Sequence, residues 1–370
     1  PVGVENGTLS DSGGTSPVTQ PIPEHLKNDY VFGNQAPWEE LAPYTHDTVT
    51  EPIPDLIRLE VPDELGDCPR AALGLADVTH PFFGADNTGA ADSTGAINKA
   101  VVFARDHQMV CWFPPGTYLV NDTISCIQNL YRPAHGENFQ TREDLASYAR
   151  NVPCVLMGSR EGPDRRPLLK LAPHAPGFDN PDNPKIVVHF RARALRNPEA
   201  EQANIAMNDL FVGIDIEIAE GNPGAVGIRM RAAQGSGVLH SRIDATHGHT
   251  GLQGGAGSGG SHAGITVVGG RIGIDMRESQ PCPTLTDVTL LGQTEQALLY
   301  RGMQSLTAVG LRIESDRADP LILCPTAETA PLHGQMSLID SVLTGPGTGI
   351  RTGRGVYLKN VYAKGLSRIV

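Results

Sequence analysis

The chain predicts an all-β fold in which short strands stack as coils of a parallel β-helix, and three observations carry that expectation. From about residue 204 onward, short alternating apolar segments are parted by glycine turns, with no amphipathic helices between them. They include FVGIDIEI (211–218), VGIRMRA (226–232), AGITVVGG (263–270), LTDVTLLG (285–292) and MSLIDSVLTG (336–345). A related phrase recurs as TDVTL, TAVGL, IDSVL and KNVYA, and its residues Asp287, Ala308, Asp340 and Asn360 lie 21, 32 and 20 residues apart. The third observation is a single one-sided helix near the start of the strand-rich region, as a cap on the first coil requires. A chain of strands without helical crossovers argues against βαβ architectures. A propeller needs regular blades of about 40–50 residues, and no such period is visible. A β-sandwich of this length would need two domains.

Residues 1–80 read as an irregular N-terminal extension, rich at first in Gly, Ser, Thr, Asp and Pro, with one or two strands toward its end. The β-helix domain is expected over 81–370. In its opening, Gly84, Gly89 and the Asp/Asn residues between them mark tight turns. Asp92 or Ser93 is placed to cap a helix, whose apolar side is Ile97, Ala100, Val101 and Ala104. Strands follow at Val110–Phe113 and Thr117–Val120, turned by Pro114-Pro115-Gly116. Around 131–200 the pattern weakens into an inserted loop region, with strands expected at Val155–Met157 and Leu168–Leu171. A solenoid accepts such insertions because each coil needs only its neighbours.

The opening is similar to that of the pectate-lyase-like superfamily of right-handed β-helix proteins. The likeness rests on Phe83-Gly84-Ala85, Asp86, Asn87, Gly89, Asp92-Ser93-Thr94, Ala96-Ile97-Asn98 and Ala100. It continues in the intact run Phe113-Pro114-Pro115-Gly116-Thr117-Tyr118. Asn87 and Ser93 depart from the superfamily pattern, but a turn and a cap survive both changes. The resemblance implies a right-handed parallel β-helix with an N-terminal capping helix, and a polysaccharide as substrate or ligand. A narrower stretch, His249 to Met276, resembles the first β-helix of tandem β-helix exo-β-1,3-glucanases through Gly251-Leu252, Gly257-Ser258-Gly259-Gly260, Gly269-Gly270 and Gly273-Ile274. In that family the general acid lies mainly in the second β-helix. No catalytic residue is therefore carried over, and a second β-helix domain or chain, or a homo-oligomer, stays open.

The formal net charge is −12, so phosphate backbones and anionic lipid would be repelled and neither nucleic acid nor a membrane is an expected partner. No stretch approaches the roughly 20 apolar residues that span a bilayer. Six cysteines form no CxxC pair, which leaves a zinc ribbon unsupported, and a bridge within Cys111, Cys126 and Cys154 stays open beside buried free thiols. There is no G-x-S-x-G elbow and no HExxH. No metal and no cofactor is expected.

Glycoside hydrolysis needs two carboxyl groups. Ile214, Ile216 and Ile218 claim the inward face of their segment by alternation, so Asp215 and Glu217 should point outward together, about 6–7 Å apart. They are the candidate catalytic pair, although outward residues of a solvated strand are usually polar for no further reason. By the same alternation Arg229 and Arg231 point outward and would join them in a charged ladder. Asp244 beside Arg242, and Asp275 beside Arg277, repeat the pattern. Arg229, Arg231, Asp244, Asp275 and His247 are candidate substrate contacts, together with Trp38 and Tyr131, whose rings could stack on sugars. Trp112 reads as core. His247 and His249 form an HxH spacing without a third metal ligand, and His262 is a weaker contact candidate. The leading expectation is a hydrolase acting on a polysaccharide, with a β-1,3-glucan as one substrate. A lyase acting on a uronate polymer is the first alternative, with Arg229 and Arg231 neutralising its carboxylate. A non-enzymatic carbohydrate-binding or structural β-helix is the second. All three suit an extracellular or cell-envelope location.

Overall fold

The computed structural model describes residues 61–128, 153–159, 165–192, 201, 206–257, 259–276, 284–302, 304–325 and 334–370. Trp38, Tyr131 and Arg277 lie outside the described residues.

Among the described residues all strand pairings are parallel, and they form an 18-stranded sheet made of two ladders and an 8-stranded sheet; these three ladders, termed the first, second and third sheets, wind a right-handed β-helix. Most coils contribute one short strand to each, whereas in the first coil the helix follows the second strand in place of a third-sheet strand. The first sheet starts with Leu75–Asp77, Val110–Phe113 and Val155–Gly158 and continues through Leu210–Val212 and Gly237–Leu239. The second runs from Thr88–Asp92 through Thr117–Val120, Leu168–Leu171, Asp215–Ile218 and Arg242–Asp244 to Arg312–Glu314. The third runs from Ile124–Gln128 and Lys185–Ala192 to Ile350–Thr352. In the last two coils the strands Met336–Thr344 and Val356–Lys364 run through both the first and second sheets.

The expected extension therefore contains the first rung, because Leu75 pairs with Val110. The expected insertion contains coil strands too, at Val155–Gly158, Leu168–Leu171 and Lys185–Ala192.

Period-2 alternation sets the core. In the second sheet Tyr118, Leu169, Ile216, Ile243, Val267 and Leu290 stack in register and are fully buried or nearly so. In the third, Ile228, Leu252, Ile274 and Leu298 form the equivalent buried column. Burying each such side chain is worth roughly 1.5–3 kcal/mol, so every coil is held by its neighbours. Helix α1 (Thr94–Asp106) buries Ile97, Ala100, Val101 and Ala104 over the first coil, as its spacing predicts. Ser93 does stand at its N-cap, but its hydroxyl serves Asp86 instead of the helix. Asp92 accepts the Thr94 amide at 3.0 Å. Trp112 is buried, with the Arg70 guanidinium 4.1 Å over its ring.

The corner between the first and second sheets explains the recurring phrase. Gly213, His240, Gly264, Asp287, Gly310, Asp340 and Asn360 occupy successive coils there, all with φ between 49° and 70°. Only Gly adopts this left-handed conformation without cost, and Asn and Asp tolerate it best among the others. The expected alignment of Ala308 with Asp287 is thus corrected by two residues. Leu285 pairs with Ala308, so the corner partner of Asp287 is Gly310. At the end of the corner column Asn360 donates to Asp340 at 2.7 Å.

Cys68, Cys111, Cys126, Cys154 and Cys324 are buried free thiols. Burial raises the thiol pKa at Cys111, Cys126 and Cys154, which makes them poor nucleophiles.

Candidate functional site

The outward face of the second sheet gathers the candidate pair and its surroundings. Asp215 and Glu217 do point outward, alternating with the buried Ile214, Ile216 and Ile218. In the register, Lys170, Glu217, Asp244 and Val268 occupy successive rungs of one outward column. Rungs are about 4.8 Å apart, so Glu217 and Asp244 are like-charged neighbours. Two cations offset that repulsion. Lys170 Nζ lies 2.8 Å from Glu217 Oε1, and Arg242 Nη2 lies 3.3 Å from Asp244 Oδ2. Asp244 also accepts from the amide and hydroxyl of Thr246, at 3.1 and 2.6 Å.

Asp215 is more enclosed than Glu217. Its Oδ1 accepts the Arg242 amide at 2.8 Å and Arg166 Nη1 at 3.3 Å. Burial nevertheless raises its carboxyl pKa, against the Arg242 amide and the charges of Arg166 and Arg242.

The expected four-residue ladder is not one surface. Arg229 and Arg231 lie on Ala225–Arg231 in the third sheet, whereas Asp215 and Glu217 lie in the second. The chain between them turns at Glu220–Gly224, where the buried Asn222 binds three carbonyls and the Ala175 amide. On its own face Arg229 clasps Glu201 through Nε and Nη2 at 3.0 and 2.9 Å and reaches Gln253 at 2.7 Å. Arg231 adds a bond to Glu201 at 3.0 Å, and His189 another at 2.6 Å. Burial is the largest influence on the Glu201 carboxyl and pushes its pKa up. The bonds from His189, Arg229 and Arg231 outweigh it and hold the group ionised well below its ordinary range.

Asp275 also belongs to the third sheet, in register with Gln253 and Leu299, and it is fully buried rather than outward in solvent. That position does not suit the expected sugar contact. His247 is exposed in the turn after Arg242–Asp244, and His249 bonds its neighbour Thr250 at 2.8 Å. The backbone there is a turn, so the two rings are not presented as an extended HxH pair. His262 falls in the inward column between Val238 and Leu285. It accepts the Val238 amide at 3.1 Å, and burial pushes its pKa down to about 4. It is a core residue. Among the described residues no group of three His, Cys, Asp or Glu side chains is arranged to hold a metal.

The structure adds residues that the strand pattern alone did not bring forward. Lys170 and Arg166 are partners of the candidate pair, and both precede it by one coil. Further along the same outward face lies an open hollow of about 750 Å³. Its lining includes Thr266, Thr289, Leu291, Arg312, Glu314 and Thr344. These are outward positions of four successive rungs. The alternation of LRIES marks Arg312 and Glu314 as outward, but only the register shows what they surround.

Parallel ladders wound into coils, with a capping helix at the first coil, define the class as a pectate-lyase-like right-handed β-helix. Residues 80–315 match the model of the family described as Rhamnogalacturonase A/epimerase, pectate lyase-like, and the chain belongs to that family. No curated protein matches it. Among solved structures it is similar to ORF18 of Geobacillus virus E2, at 12% identity and a TM-score of 0.43, over 80% of this chain and 60% of that one. The chain thus spans 60% of the length of that viral protein. PfbA, a surface adhesin of Streptococcus pneumoniae, is similar at 10% identity and a TM-score of 0.36, over 80% of this chain and 93% of that one. The A-module of the mannuronan C-5 epimerase AlgE4 of Azotobacter vinelandii is similar at 14% identity and a TM-score of 0.29, over 79% of this chain and 96% of that one. Among the described residues no helix is long and apolar enough to cross a membrane.

Proposed function

We propose that the chain is a carbohydrate-binding β-helix that takes an extended polysaccharide across the rungs of its second sheet, at an extracellular or cell-envelope location. The observation that carries this reading is the outward face itself. It offers hydroxyl, carboxylate and guanidinium groups on consecutive rungs and ends in the 750 Å³ hollow. Most of its charges are paired, Lys170 with Glu217, Arg242 with Asp244 and Arg312 with Glu314. A face of paired charges presents hydrogen-bonding groups without a strong field, which suits a polymer of low charge. The lyase alternative is less well supported, because Arg229 and Arg231 lie on a different sheet from Asp215 and Glu217 and both already bind Glu201.

A second reading, hydrolysis, is favoured by one observation. Burial raises the pKa of Asp215, as a general acid needs, and Glu217 stands on the same face two residues away. Their spacing along the strand, about 6–7 Å, borders the range of about 6.5–9.5 Å used by inverting glycosidases.

The test is to incubate the chain with laminarin, other β-glucans, polygalacturonate and alginate. Retained polymer, new reducing ends and absorbance from unsaturated products are measured together. Binding without products is the expected result. Reducing ends lost in both D215N and E217Q would establish the hydrolase instead. Unsaturated products would overturn both readings, and no retention of any polymer would remove the carbohydrate reading.

A further inference from the structure

We propose that the hollow around Arg312 and Glu314 is a binding subsite for a neutral sugar unit carrying vicinal hydroxyls. This rests on the carbohydrate-binding reading of the second sheet and names the chemistry of one place on it. The hollow is about 750 Å³, within the roughly 300–1,000 Å³ of small-ligand sites. It lies at Thr266–Val268, Thr289–Leu291 and Arg312–Glu314, the first, second and third rungs beyond Asp244.

The lining chemistry is that of a sugar. Thr266, Thr289 and Thr344 supply hydroxyls that both donate and accept. Leu291 and Pro346 supply apolar surface for the C–H face of a ring. Arg312 Nη2 lies 3.4 Å from Glu314 Oε2. A guanidinium beside a carboxylate matches a vicinal diol, one hydroxyl accepting from Arg312 and the other donating to Glu314. The pair is more than half exposed on both sides, at 63% and 55%, so the fold gains little from it. Asp316 also lines the hollow and has no side-chain partner among the described residues. A uronate carboxylate would meet two carboxylates, Glu314 and Asp316, against the single guanidinium of Arg312. The hollow therefore disfavours an acidic sugar.

Binding of a neutral gluco-oligosaccharide, its galacturonate counterpart and a periodate-cleaved form lacking the diol should be measured by titration calorimetry on the full chain. The neutral oligosaccharide is expected to bind at least tenfold more tightly than either of the others. R312A and E314Q should each weaken it roughly tenfold, the loss of one charge-assisted hydrogen bond, with unchanged thermal midpoints. Equal affinity for the galacturonate or the cleaved form would overturn the inference, as would full affinity in both variants. If K170A and E217Q weaken binding while R312A and E314Q do not, the subsite fails and the wider face stands. If no oligosaccharide and no polymer binds, both fail.

Discussion

The carboxylate of Asp215 accepts the backbone amide of Arg242, in the following coil, at 2.8 Å. One outward side chain thus ties two coils together at the edge of the second sheet while burial raises its pKa. A carboxyl with a raised folded pKa contributes stability that is present below its unfolded value of 3.8 and is lost as pH rises through the folded value. D215N keeps an oxygen for the Arg242 amide and removes the buried charge. Urea midpoints of D215N at pH 7 should equal or exceed those of the native chain, with a flatter pH dependence just above pH 4. A marked loss of stability in D215N would show that the Arg166 ion pair dominates at this site.

Asp209 is a sharper case of the same sign. It is fully buried, its Oδ1 accepts the Cys154 amide at 2.8 Å, and burial pushes its pKa up to about 8. The unfolded chain releases this proton near pH 3.8 and the folded chain holds it to about pH 8. Stability should therefore fall by about 1.4 kcal/mol per pH unit across that window from this group. D209N should flatten the decline, measured as denaturation midpoints at pH 5, 6.5 and 8. An unchanged slope would mean that Asp209 ionises normally in the fold.

Glu201 has the opposite sign. Its lowered pKa contributes stability present above the unfolded value of 4.5 and lost as pH falls through the folded value. E201Q leaves Arg229 without its two-oxygen clasp in a site where both side chains are about seven-eighths covered, at 13% and 12% exposure. Breaking such a pair from one side costs about 3–5 kcal/mol. Chemical denaturation at pH 7 reads this directly. A loss under 1 kcal/mol would show that the clasp is solvent-like.

At the corner column, Gly310 has φ of 70° in the place that Asp287, Asp340 and Asn360 fill in other coils. An added Cβ would meet nothing closer than the Asp287 amide nitrogen at 3.6 Å, so the cost is conformational and not steric. G310A should destabilise by about 1–2 kcal/mol, and G310N by less, because Asn tolerates this conformation. Equal losses in the two variants would point to a packing cause.

Local chemistry determined the strands, the capping helix and the inward columns, because alternation and one-sided spacing depend only on neighbours along the chain. Asp215 and Glu217 could be placed outward for that reason, and so could Arg229 and Arg231. Which outward residues share a surface is a different question. It depends on how many residues each turn absorbs before the next strand begins. The turn at Glu220–Gly224 carries Arg229 and Arg231 to another sheet, and the insertion before residue 200 hides the register that sets Lys170 beside Glu217. Asp275 and His262 make the same point from the other side. Their segments read as polar positions in strands, yet one is covered and the other faces the core. The hollow at Arg312 and Glu314 exists only because four rungs, far apart in the chain, stack in register. Pattern along a chain specifies which way a side chain points, whereas coil length and stacking specify what it meets.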